Sequence, residues 1–128
     1  MTYHMTKKVN LPFDQAIDKV TQALAEKGFG VLTTIDVKAT LKKKIDADFR
    51  PYTILGACNP NFAFQALQAE SKIGTMLPCN VIVEETEAGL VEVSAVDPMA
   101  SMQAIENPDL AGIADQVQGL LSEVIDSL

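Results

Sequence analysis

Residues 76–96 read MLPCNVIVEETEAGLVEVSAV, and this stretch decides the fold. Met76 to Thr86 and Leu90 to Val96 are rich in valine and isoleucine, the composition of strands on a pleated, partly buried surface. Glu87-Ala88-Gly89 between them is a short loop containing glycine, which closes the two strands into a hairpin. Two strands joined this tightly run antiparallel. A sheet built around them is largely antiparallel or mixed.

Upstream of the hairpin, Lys72-Ile73-Gly74 reads as a turn. Tyr52 to Cys58 reads as a strand apolar enough to be buried on both faces. Asn59-Pro60 ends it and opens a helix, since asparagine suits the cap and proline the first helical position. Phe62 or Phe64, with Ala63, Ala66 and Leu67, would give that helix its packing face. Further back, Tyr3 to Val9 and Phe29 to Ile35 read as strands. Pro12 opens a helix between them, with Phe13, Ile17, Val20 and Leu24 at three- and four-residue spacing. Gly28 is the expected C-terminal cap of that helix. Asp36 is the expected N-cap of a short helix carrying Lys38, Lys42, Lys43 and Lys44.

Downstream, Asp97-Pro98 ends the hairpin and a short piece with Met99, Met102 and Ile105 follows. The methionines there read as gap-fillers in the core or at an interface. Asn107-Pro108 opens the last helix, whose apolar stripe is Leu110, Ile113, Val117, Leu121, Val124 and Leu128. The order is β-α-β-α-β-α-β-β-α in one domain, residues 1–128. That order predicts an α+β two-layer sandwich, with helices packed on a five-stranded sheet. A ferredoxin-like split unit built on the β-α-β opening is the alternative.

Composition narrows the function. The chain has 128 residues and a net charge of −7, unevenly spread. All ten basic residues lie between Lys7 and Lys72 with seven acidic ones, and ten acidic residues follow with no Lys or Arg. Such a C-terminal half cannot neutralise phosphates, so nucleic acid is not an expected partner. The cluster Lys38, Lys42, Lys43, Lys44 and Arg50 reads as a solvated helix face. No stretch approaches the roughly 20 apolar residues of a membrane span. The start of the chain lacks the apolar run of a secretory signal, so a cytoplasmic location is expected.

The candidate chemistry sits at two cysteines, in Ala57-Cys58-Asn59-Pro60 and Leu77-Pro78-Cys79-Asn80. Free thiols are the expectation for a chain in a reducing compartment. Cys58 falls at a strand end just before a helix start, where main-chain N–H groups favour a thiolate. Cys79 follows a proline near the start of its strand. Asn59 and Asn80 enter apolar surroundings and need hydrogen-bonding partners or water. These four residues form the candidate ligand site, with Cys58 and Cys79 the only candidate metal ligands in it. His4 is the sole histidine and reads as a surface residue. Zinc takes four ligands, so a complete zinc site within one subunit is not expected. Glu84, Glu85 and Glu87 read as a solvated hairpin tip.

Three readings follow. The first is a homodimeric binding protein holding a small molecule or soft metal ion at the two Cys-Asn segments. The second is a thiol-dependent enzyme or redox protein using Cys58. The third is a structural interaction module whose cysteines are buried and inert.

The segments Gly28-Phe29-Gly30-Val31-Leu32-Thr33, Ile54-Leu55-Gly56-Ala57-Cys58-Asn59-Pro60 and Ile73-Gly74-Thr75-Met76-Leu77-Pro78-Cys79-Asn80-Val81 carry a resemblance. In this order, with the Asp97-Pro98 strand ending, they resemble the bacterial and archaeal domain-of-unknown-function family 302 over nearly the whole chain. Thr75-Met76 stands where members often carry bulkier aliphatic residues. The resemblance implies a compact α+β sandwich, commonly dimeric, with no established activity. It highlights Cys58, Asn59, Cys79 and Asn80 and supplies no reaction.

Overall fold

A computed structural model describes residues 2–128. The chain is an α+β protein with five strands in one open antiparallel sheet. The elements run β1 (His4–Val9), α1 (Phe13–Glu26), β2 (Gly30–Asp36), α2 (Val37–Ile45), β3 (Tyr52–Cys58), α3 (Pro60–Ala69), β4 (Cys79–Glu87), β5 (Leu90–Val96), α4 (Pro98–Ser101) and α5 (Pro108–Asp126). The expected order is borne out, with α4 as the helical form of the Met99–Met102 piece.

Strand order across the sheet is β1-β5-β4-β3-β2, every neighbouring pair antiparallel. β1 and β2 therefore occupy opposite edges, and α1 crosses the sheet between them. A split β-α-β unit would need β1 and β2 separated by a single strand. The ferredoxin-like alternative is excluded on that ground.

Alternation along the strands sends Leu55, Ala57, Cys79, Val81, Val83, Val91, Val93 and Ala95 to one face. There they form one core with Val20 and Leu24 of α1 and Val117, Leu121 and Val124 of α5. A smaller cluster, Ala66, Ile73 and Leu110, joins α3 to α5. Among the described residues, no helix packs a core against the other face of the sheet. Tyr52, Ile54 and Cys58 are accordingly only half-buried, so β3 is not covered on both faces as its composition suggested.

Capping follows the sequence closely at most ends. Gly28 adopts φ +85°, its N–H bonds the Ala25 carbonyl and that of Phe29 bonds Leu24, the paired closure of a Schellman motif. Asp36 accepts from the Ala39 N–H at 2.9 Å and Asp97 from the Met99 N–H at 2.9 Å. Asn107 accepts from the Asp109 N–H at 3.1 Å. Its amide also donates to the Ala69 carbonyl at 2.8 Å, tying the start of α5 to the end of α3.

Two further expectations need correction. Residues 71–76 form a 3-10 helix rather than a turn and the start of a strand, and β4 begins only at Cys79. Pro78 lacks the N–H a ladder needs, and Ile73 is fully buried, which draws this segment onto α3 and α5 instead. Glu84 lies in mid-strand, not at the hairpin tip. Its carboxylate accepts from Arg50 Nη2 at 2.9 Å and Nε at 3.1 Å, and its side chain is 16% exposed.

Candidate functional site

β3 and β4 are paired so that Ala57 stands opposite Cys79 and Gly56 opposite Asn80. Cys58 is the last residue of β3, stopped by Pro60, which begins α3 with no N–H to offer the sheet. Cys79 is the first residue of β4 and is buried at 8% exposure. The two segments thus end at the same corner of the sheet, beneath α3, α4 and α5.

A cavity of about 40 Å³ opens at that corner, with both Cys58 and Cys79 in its wall. Phe29, Phe62, Ile113 and Val117 supply much of the rest. Asn59 is the one amide side chain in the lining. Its Nδ2 donates to the Lys27 carbonyl at 3.3 Å, so it fastens the β3–α3 corner to the end of α1. It does not cap α3 with its side chain, as the Asn59-Pro60 pairing suggested. Gly28 leaves room for this contact, since a Cβ there would stand 3.1 Å from Asn59 Nδ2.

Both cysteines are free thiols. Burial, and secondarily electrostatic repulsion from Cys58, push the Cys79 thiol up to about 11. It is therefore protonated at neutral pH. Among the described residues, no group of three or more His, Cys, Asp and Glu side chains comes together to hold a metal.

Asn80 lies apart from the other three candidates. The alternation that buries Cys79 turns Asn80 to the open face of the sheet, into a wider groove of about 440 Å³. His4 lines this groove too, not the cysteine cavity. Its Nδ1 is 2.6 Å from Thr6 Oγ1, which lies 2.8 Å from Ser94 Oγ, so the three share a hydrogen-bonded chain. Arg50, ion-paired with the groove residue Glu84, has its guanidinium 4.5 Å from the Phe49 ring and 5.5 Å from that of Tyr52. Burial, then the Glu84 carboxylate, raise the Tyr52 hydroxyl pKa.

Sequence reasoning missed this groove, because its residues are spread over β1, β3, β4 and β5 and no local motif marks them. The period-2 polar positions Thr6, Asn80, Glu84, Glu92 and Ser94 were the available signal. Met102 packs against the Ala66, Ile73 and Leu110 cluster, as a gap-filler would, and it also borders the cysteine cavity.

An open five-stranded antiparallel sheet with helices packed on its core face defines a class of small α+β proteins. The chain matches the family described as "Domain of unknown function DUF302" over residues 5–128, and it belongs to that family. It is similar to the crystal structure of an uncharacterized conserved DUF302 protein from Bacillus stearothermophilus. That likeness has a TM-score of 0.91 at 29% identity and covers 98% of each chain. No curated protein matches it. Among the described residues, no helix is long and apolar enough to cross a membrane.

Proposed function

We propose that the protein is a cytoplasmic, homodimeric binding protein whose ligand is a small thiophilic species taken at Cys58 and Cys79. One observation carries the reading: two cysteine residues 21 positions apart in the chain both border a single apolar cavity. A volume of about 40 Å³ admits an ion or a group of a few atoms. Pockets for organic metabolites are commonly several hundred cubic ångströms, so a soft metal ion fits better than a small organic molecule. The reduced state of both thiols suits a cytoplasmic setting.

The second copy of the chain is the occupant assigned to the open sheet face. A row of cross-strand neighbours there, Ser94, Ile82, Ile54 and Ile35, offers a partly apolar strip, and Ile35 is 46% exposed. Asn80 belongs with that strip and not with the thiols.

Native mass spectrometry of protein purified without tag or chelator tests both parts at once. The expected spectrum is a dimer carrying an adduct that is lost in Cys58→Ser. A bare monomer, or an adduct indifferent to both cysteines, would sink the proposal.

The apolar lining and the raised thiol of Cys79 favour one second reading, a structural module with inert cysteines. On that reading, replacing both cysteines with alanine changes stability and nothing else. Use of Cys58 as an enzymatic nucleophile has less support, because His4 is on the other face and no imidazole lines the cavity.

A further inference from the structure

We propose that the two copies stack their open sheet faces about a two-fold axis parallel to the strands, which sets Lys38 of each subunit against Glu92 of the partner subunit. This deepens the homodimer reading and rests on it. From Gly30 to Arg50, through β2 and α2, no residue is buried. Leu32 and Ile45 are 68% and 69% exposed, and no residue of α2 packs against either core cluster. Apolar surface left bare over a whole strand and helix marks a place where a partner sits.

Strand register arranges the open face in rows. One row is apolar on its β2 side and runs Ile35, Ile54, Ile82, Ser94, Thr6. The next runs Tyr52, Glu84, Glu92, Lys8. Asp36 pairs with Thr53, so α2 starts level with this second row. Two carboxylates therefore stand directly opposite each other on β4 and β5, which costs stability unless cations offset it. Glu84 has Arg50 at 2.9 Å. Among the described residues, Glu92 has no ion pair, and neither has Lys38 in the first turn of α2.

A two-fold axis can stack this face on its own copy in two ways. An axis across the strands sets β2 over β2 and reverses the rows, so α2 meets the Thr33 end of the other sheet. An axis along the strands keeps the rows level and reverses the strand order. Placed between Ile54 and Ile82, the middle of the apolar run, it lays Ile54 on Ile82 of the partner subunit and β2 over the other copy's β5. The start of α2 then lies over Glu92 of the partner subunit, at the same level along the strands. Packed sheets stand about 10 Å apart, a gap that a lysine and a glutamate span together. Charge selects this second stacking, with apolar residues at the centre and the Lys38–Glu92 contacts, one for each subunit, at the rim. Rim charges of this kind fix register and partner choice more than affinity.

The test uses two charge reversals in the full chain, Glu92→Lys and Lys38→Glu, neither at a residue of a core cluster. Alone, each variant places like charges at both contacts of its homodimer. Its dimer dissociation constant, by sedimentation equilibrium, should rise about tenfold, a few-fold for each contact. Mixed together, with one of them isotopically labelled, the two variants regain opposite charges at both contacts. Native mass spectrometry should then show the heterodimer well above the share that random exchange gives. A wild-type chain that is monomeric overturns this inference and the homodimer reading together. A wild-type dimer whose variants associate as tightly as it does, or mix at random, overturns the strand-parallel stacking alone and leaves the homodimer reading standing.

Discussion

The ring of Pro78 lies over Gly56, so that a Cβ on Gly56 would fall 2.8 Å from the proline Cγ and closer still to the Thr33 hydroxyl. Three strands or their ends meet at this point: Thr33 pairs with Gly56 from β2, and Pro78 precedes β4. No side chain fits there without moving backbone-anchored neighbours. Gly56→Ala is expected to cost about 1–3 kcal/mol by overpacking, read as a lower urea midpoint at unchanged slope. Gly112 and Gly119 of α5 provide the contrast, since a Cβ at either meets nothing within 4 Å. Alanine at those positions should stabilise by roughly 0.5–1 kcal/mol. Equal effects at Gly56 and Gly112 would contradict the packing described.

Alkali should destabilise the fold through Cys79. Its thiol is raised from an ordinary 9.0 to about 11, so between those values the unfolded chain has released a proton that the folded chain still holds. Stability is then fully present below pH 9 and falls as pH rises to about 11, by roughly 2–3 kcal/mol at about 1.4 kcal/mol per unit. Denaturant midpoints across that window should fall more steeply for wild type than for Cys79→Ala. Parallel curves would show that the thiol is not the cause.

Alkylation should separate the two cysteines. Cys79 is buried and protonated at neutral pH, and a thiolate is the reactive form. Iodoacetamide at pH 7.5 should therefore modify Cys58 first, with Cys79 following only on unfolding. Peptide mapping after short exposure checks the order, and equal labelling of both would refute it.

Asn107 and Asn59 look alike in sequence, each before a proline at a helix start, but their side chains act differently. Asn107 caps α5 and bonds the last turn of α3. Asn59 bonds only the Lys27 carbonyl, at 3.3 Å. Asn107→Ala should cost about 1–2 kcal/mol, and Asn59→Ala less, since it loses one long bond and no cap. Thermal melting of the two variants side by side decides it.

Much of this architecture was readable along the chain. The Pro12, Gly28, Asp36, Asn107 and Asp97 signals act within a few residues, and the helices and the β4–β5 hairpin follow from them. What was not readable is what depends on pairing between distant segments. The partners of β1 and β2 are set by the whole sheet, so the ferredoxin-like alternative could not be dismissed from periodicity. Pro78 delays β4, and the residues before it serve a second core that no local pattern announces. At the candidate site the Cys-Asn repetition marked the right corner. It also misled, because a strand turns successive residues to opposite faces and carries Asn80 away from Cys79.

The pairing of His4 with Val96 has a consequence for how the chain is made. β1 leaves the ribosome first, but its only neighbour in the sheet, β5, is completed about ninety residues later. At roughly 5–20 residues per second that is a wait of some 5–20 s during translation. The hairpin of β4 and β5 can close locally in the meantime, and β1 then adds to its exposed margin. Lys7 and Lys8, in the middle of β1, give the waiting segment a charge that discourages pairing with another nascent chain.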